Sequence, residues 1–244
     1  MSGILLGDQA VLVLVMAVAA LVLYVAVLRR RLGNVRSFTS KNLFYRVEII
    51  VQSRRAAQMN GGVAFIGDSM IAGLATSRLP IRSENFGIGG ETIEDLQRRL
   101  SAYDLTHADT IVVLIGINNF AKDRLHGFGE KYRRLLAQLP AGKAVIAVSL
   151  LPLNRKAEAF YRLGAAQAIA KANGDIENAC NDLGCRFLNL YPVMQNSEGE
   201  LRNEYAEKDG LHLSVQGYAV LCKEMEKALL GAAGTCGKEN KYSI

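Results

Sequence analysis

The chain has 244 residues, 50% of them hydrophobic and 21% charged, which suits one ordinary domain with an appendage and excludes wholesale disorder; four prolines and no collagen-like glycine period exclude fibrous classes. The net charge of +6 is local: residues 29–60 hold eight Lys/Arg against the single acid Glu48, residues 61–244 hold 21 of each sign, and residues 1–28 hold Asp8 alone. A neutral body with one basic stretch argues against a nucleic-acid-binding domain.

From Ala10 to Leu28 the sequence AVLVLVMAVAALVLYVAVL carries no charge. Wound as a helix at about 1.5 Å per residue it spans roughly 28 Å, close to the hydrocarbon thickness of a bilayer. The competing readings are a cleaved signal peptide and a buried core helix. A signal peptide needs a positive leader and a small-residue cleavage site. Here MSGILLGDQ has no Lys or Arg, and the run ends in Leu28-Arg29-Arg30-Arg31. The sequence therefore predicts a transmembrane anchor with its flanks over residues 1–31. Arg29, Arg30, Arg31 and Arg36 put the chain that follows in the cytoplasm by the positive-inside bias, with the periplasmic or extracytoplasmic side as the alternative. Residues 32–60 read as a basic juxtamembrane linker or helix. It lies against anionic headgroups, or packs Phe44, Val47, Ile50 and Val51 on the body, or does both.

After Gly61-Gly62 the pattern becomes regular. Apolar, β-branched runs fall at Val63–Ile66, Thr110–Ile115, Ala144–Leu151 and Arg186–Leu190, with a weaker one near Glu84–Phe86. Helix-period segments lie between them: Ile93, Leu96 and Leu100 share a face, as do Tyr132, Leu135, Leu136 and Leu139, and Ala159–Leu183 and Val215–Leu230 are long and amphipathic. Continuous apolar strands separated by helices imply an α/β fold with a parallel sheet covered on both faces, over residues 61–231. Residues 232–244 read as a polar tail.

In such sheets function collects at the carboxyl ends of the strands. There the sequence places Gly67-Asp68-Ser69, then Gly87 to Thr92, then Gly116-Ile117-Asn118-Asn119; a fourth element, Asp209-Gly210-Leu211-His212, opens the last helix. Ser69 sits where a strand turns into a helix, so its hydroxyl projects from the sheet edge, and it needs a base to become a nucleophile. Of three histidines, His107 precedes a strand and His126 lies in a polar loop. Only His212 has a carboxylate at short fixed spacing, Asp209, which would hold the imidazole tautomer. Asp68 is a rival acid, but adjacent side chains in extended geometry point to opposite faces, so it reads as a turn residue. Three donors suit an oxyanion: the N–H of Ser69, the N–H of Gly90 and the amide of Asn118, a carboxamide that has no packing reason to follow an apolar strand.

These four elements, in this order, resemble the GDSL or SGNH hydrolase superfamily, whose signature is Ser in a G-D-S block, Gly in a second block, Asn in a G-x-N-D block and His in a D-x-x-H block. Gly67-Asp68-Ser69, Asn85 to Gly90, Gly116-Ile117-Asn118 and Asp209 to His212 match position by position, and the match spans about residues 61–231. The resemblance implies a flavodoxin-like three-layer α/β/α sandwich and metal-free ester hydrolysis. It also implies a triad of Ser69, Asp209 and His212, and an oxyanion hole of Ser69, Gly90 and Asn118. Two positions depart from the pattern: Asn119 replaces the usual aspartate of the third block, and Glu91 a frequent aspartate after the second-block glycine.

Cys180, Cys185, Cys222 and Cys236 form no C-x-x-C pair, so no metal site is expected, and a Cys180–Cys185 disulfide is conceivable; no G-x-G-x-x-G element opens a helix, Gly87 to Gly90 being too short, so no nucleotide cofactor is expected. The expected function is a membrane-anchored serine hydrolase of carboxylic esters or thioesters, of esterase, lysophospholipase or deacetylase type. The alternatives are an acyl or acetyl transferase with the same triad, a non-catalytic binding module and a membrane adaptor. The loops 120–129, 153–161 and 194–208, with Phe120, Phe128, Phe160, Tyr161, Tyr205, Arg124 and Arg155, are expected to shape the substrate site.

Overall fold

The computed structural model describes residues 43–121, 125–157, 160 and 165–233, and the single positions 11, 16, 22 and 24. The chain forms two compact units, Met1–Ile50 and Val51–Ile244. Among the described residues no helix is long and apolar enough to cross a membrane. The expected span, 10–28, lies outside them except for Val11, Met16, Val22 and Tyr24, each of which is helical and exposed.

The body is a five-stranded, all-parallel sheet of β1 (Val63–Gly67), β2 (Ser83–Gly87), β3 (Thr110–Leu114), β4 (Ala144–Val148) and β5 (Arg186–Leu188), in the order β2-β1-β3-β4-β5. This is the flavodoxin-type order, in which the chain steps one way from β1 to β2 and the other way from β3 onward. Right-handed crossovers then put α3 (Ile93–Leu100), α5 (Phe128–Ala137) and α6 (Ala165–Leu183) on one face, and the turn-sized α2 (Ser69–Ala72) on the other. There α8 (Val215–Ala233) meets α2, where the Tyr218 hydroxyl donates to Met70 O at 3.2 Å. Every residue of β1 is buried, as are Ile111 to Leu114 of β3, because these central strands are covered on both faces. β2 is the outer strand, and only Phe86 of its five residues is buried, which explains its weak apolar signal.

A helix over 43–57, α1, precedes β1. One of the two readings given for this stretch packs Phe44, Val47, Ile50 and Val51 on the body, the other lays it against headgroups; these four are 68%, 50%, 52% and 45% exposed. At 100° per residue they lie away from Gln52 and Ala56, which are buried. Gln52 donates to Gly87 O, and Arg55 pairs with Glu84 while lying over the Phe86 ring, so the end of α1 covers the β2 edge. Cys180, Cys185 and Cys222 are free thiols; the conceivable disulfide is absent, and Cys185 N–H instead caps the end of α6 by donating to Cys180 O.

Candidate active site

Asp68 caps α2: its Oδ1 accepts from Met70 N–H at 3.0 Å, which turns the chain sharply out of β1 and makes Ser69 the first helical residue. The Ser69 N–H is thus one of the donors a helix leaves without an internal acceptor. Asn85 braces the same turn from β2, its amide donating to Ile71 O and Leu74 O at 2.6 and 2.9 Å while its oxygen accepts from Gly87 N–H. β2 therefore runs hard against the backbone of α2, and a Cβ on Gly87 would lie 2.2 Å from Ala72 N.

On the loop before α8, Asp209 Oδ1 accepts from the backbone N–H groups of Leu211 and His212, both at 3.0 Å. This turn brings Asp209 Oδ2 to 2.6 Å from His212 Nδ1, and the opposite ring nitrogen, Nε2, to 3.0 Å from Ser69 Oγ. Residues 143 positions apart thus meet through one imidazole. Burial pushes the Asp209 carboxyl up, but the bonds from the His212 ring and backbone and from Leu211 N–H outweigh it, so the group titrates below its ordinary value. An ionised Asp209 holds the proton on Nδ1 and leaves Nε2 as an acceptor for the serine hydroxyl.

Gly90 turns with φ +75°, a left-handed conformation that favours glycine, and carries the loop back over Ser69. Asn118 lies on α4 (Ile117–Ala121), just past β3, and its Nδ2 donates to Glu91 O at 2.9 Å. One amide hydrogen is used there and the second is left for the cleft. Among the described residues, Ser69, Gly89, Gly90, Asn118, Asp209 and His212 line one open cleft of about 690 Å³, together with Lys156, Ala157, Phe160 and Leu211. All five residues that the sequence singles out come together here, at the β1/β3 switch point. His107 stands at the other end of the sheet, 3.6 Å from Asp104, and His126 is exposed.

The model of the GDSL-like lipase/acylhydrolase family matches residues 62–220, well over half the chain. The chain belongs to that family. It is 27% identical over 194 residues to platelet-activating factor acetylhydrolase IB subunit alpha2 of Rattus norvegicus, across 75% of this chain and 82% of that one. Its fold is that of a Streptococcus pneumonia protein provisionally described as a platelet activating factor (TM-score 0.70, 23% identity, 80% of this chain and 97% of the other). It is also that of a catalytic mutant of an acetylxylan esterase from Geobacillus stearothermophilus (TM-score 0.54, 18% identity, 69% and 93%). The chain is an ester hydrolase of the GDSL-like type.

The two departures from the family pattern have physical accounts. Asn119 is fully buried; its oxygen accepts from Ile93 N–H at 3.1 Å and its amide donates to Glu94 at 2.9 Å, so it ties α4 to the start of α3. Glu91 is buried against Arg99. Of the described loop residues named for the substrate site, only Phe160 lines the cleft. Phe120 and Phe128 are buried against each other with ring centroids 6.4 Å apart, Arg155 is engaged by Glu198 and Glu200, and Tyr205 packs under Arg202. Arg124 and Tyr161 lie outside the described residues. Lys156 and Ala157 lie in the 153–161 loop expected to shape the site, and Gly89 and Leu211 lie inside the second and fourth blocks, but none of the four was singled out by name.

Proposed function

We propose that Ser69 is the nucleophile of this hydrolase, His212 its general base and Asp209 the group that orients and charge-balances the imidazole. The N–H of Ser69, the N–H of Gly90 and the amide of Asn118 hold the oxyanion. The observation that carries the reading is the unbroken relay from Asp209 through His212 to Ser69, at 2.6 and 3.0 Å, facing the cleft that Gly90 and Asn118 also line. His212 Nε2 takes the hydroxyl proton as Ser69 Oγ attacks the acyl carbonyl. The resulting imidazolium returns that proton to the departing alcohol as the ester C–O bond breaks. Water, deprotonated by the same nitrogen, then attacks the acyl-enzyme and releases the acid and the free serine.

Carboxylic esters and thioesters fit this chemistry. The small apolar wall of Ala157 and Leu211 and the acetyl groups in the names of the relatives favour a short acyl group. The charge-free run 10–28 followed by Arg29-Arg30-Arg31 supports a membrane tether with the hydrolase on the cytoplasmic side, within reach of lipid-linked esters.

An ester series of increasing acyl length, assayed with wild type and Ser69→Ala, tests the reading. Wild type should turn over acetyl esters fastest, and Ser69→Ala should lose about 10⁴-fold or more in kcat, the scale at which triad nucleophiles fail. Wild-type turnover by Ser69→Ala would end it.

A further inference from the structure

Arg99, on α3, is the largest fully buried side chain described, and the reaction above gives it no task. Its Nε donates to both carboxylate oxygens of Glu91, at 2.7 and 2.8 Å. Nη2 donates to Phe86 O at 2.7 Å and Gly67 O at 3.2 Å, the last turns of β2 and β1. Nη1 reaches Gln52 Oε1 at 3.4 Å, which also accepts from the Tyr103 hydroxyl at 2.7 Å, and the Tyr103 ring lies 5.1 Å from the guanidinium carbon. The side-chain exposure of the Arg99–Glu91 pair is 0% and 2%. A buried ion pair is poor evidence for stability, because well-packed apolar residues of equal volume serve as well or better. What distinguishes this one is where its bonds end.

Three of these partners lie on the segments that carry the candidate oxyanion donors. Gly67 lies two residues before Ser69, Phe86 opens the segment that leads to Gly90, and Glu91 follows Gly90 directly. The carbonyl of Glu91 is the acceptor that holds the Asn118 amide, at 2.9 Å. Residue 91 therefore joins two of the donors: any shift of it rotates the Gly90 peptide and releases the Asn118 carboxamide together. We propose that Arg99, acting through Glu91, is a positioning residue that sets the spacing of the oxyanion donors; this rests on the reading of Ser69, Gly90 and Asn118 given above. The planar guanidinium is suited to the task because its fixed fork serves four acceptor residues at once, which a lysine ammonium on a flexible stem does not.

The test is a double-mutant cycle read in kcat on a short-chain ester, with Arg99→Lys and Asn118→Ala alone and combined. Arg99→Lys should lower kcat about 10- to 100-fold with KM within about twofold, somewhat less than the loss of one donor outright. In the Asn118→Ala background the same change should cost several-fold less than in wild type, because one of the two donors it positions is already gone. The acid limb of the pH profile, which reports His212, should stay where it is. Should Arg99→Lys fold poorly, Glu91→Gln/Arg99→Met removes both charges together and strands neither; the folded double variant should show the same kcat loss and the same coupling to Asn118→Ala. Equal losses in both backgrounds, wild-type kcat in a folded variant, or a loss that only tracks the unfolded fraction would overturn the proposal. Full turnover by Ser69→Ala in the same assay would instead overturn the reading of the site, and the role of Arg99 with it.

Discussion

The pKa values of two carboxylates near Ser69 are shifted in opposite directions by their surroundings. Asp209, half-exposed and bonded by His212 and two backbone N–H groups, stays ionised below its ordinary range despite some desolvation. Asp68 is 1% exposed, and burial lifts its pKa from 3.8 to about 7, against the pull of the Met70 and Gly116 N–H groups. The folded state thus binds the Asp68 proton more tightly than the unfolded chain does. The stability this contributes is complete below about pH 4 and is lost as pH rises toward about 7. Between about pH 4 and about pH 8 the wild-type Tm should therefore fall a few °C further than that of Asp68→Asn, in thermal melts of the two proteins side by side; parallel curves would contradict this. Ser69, Asp209 and His212 were legible because each lies in a short local pattern, the acid three positions before its histidine. Arg99 was not, because its partners at positions 52, 67, 86 and 91 are gathered only by the fold, and on α3 it looks like one of two adjacent solvated arginines.

Between elements, the decisive contact is the closeness of β2 to α2. Gly87→Ala would drive a methyl into the backbone at Ala72 N, 2.2 Å away, where no flexible side chain can yield. The variant should lose about 2–3 kcal/mol or more in denaturant unfolding, and ester turnover should fall further than the unfolded fraction accounts for, because α2 carries Ser69. Wild-type stability would show that the two elements can part freely. The central strands were readable as apolar runs because both their faces are covered. α2 was legible only as the helix start that the Gly-Asp-Ser turn implies, and α4 and α7 (Tyr191–Met194) not at all, all three being four or five residues long and too short for a hydrophobic period. They are held by caps and tertiary bonds such as those of Asp68 and Asn119. On α1 the apolar residues Phe44, Val47, Ile50 and Val51 left two readings open because periodicity identifies a stripe without saying what covers it.

At the scale of the whole molecule, the strand order β2-β1-β3-β4-β5 brings the ends of β1 and β3 to one crevice, and so explains why residues 69 and 118 belong to one site. The proposed tether predicts that the full chain stays with membranes through alkaline carbonate washing and leaves them only in detergent; release by carbonate alone would contradict it. The central claim is that one hydroxyl, activated by His212, carries the acyl group. Covalent labelling of the full chain with a fluorophosphonate, followed by peptide mapping, tests it most directly. The adduct should fall on Ser69, and labelling should vanish in Ser69→Ala and drop sharply in His212→Ala. An enzyme that hydrolyses esters yet takes the label elsewhere, or takes none, would contradict the account.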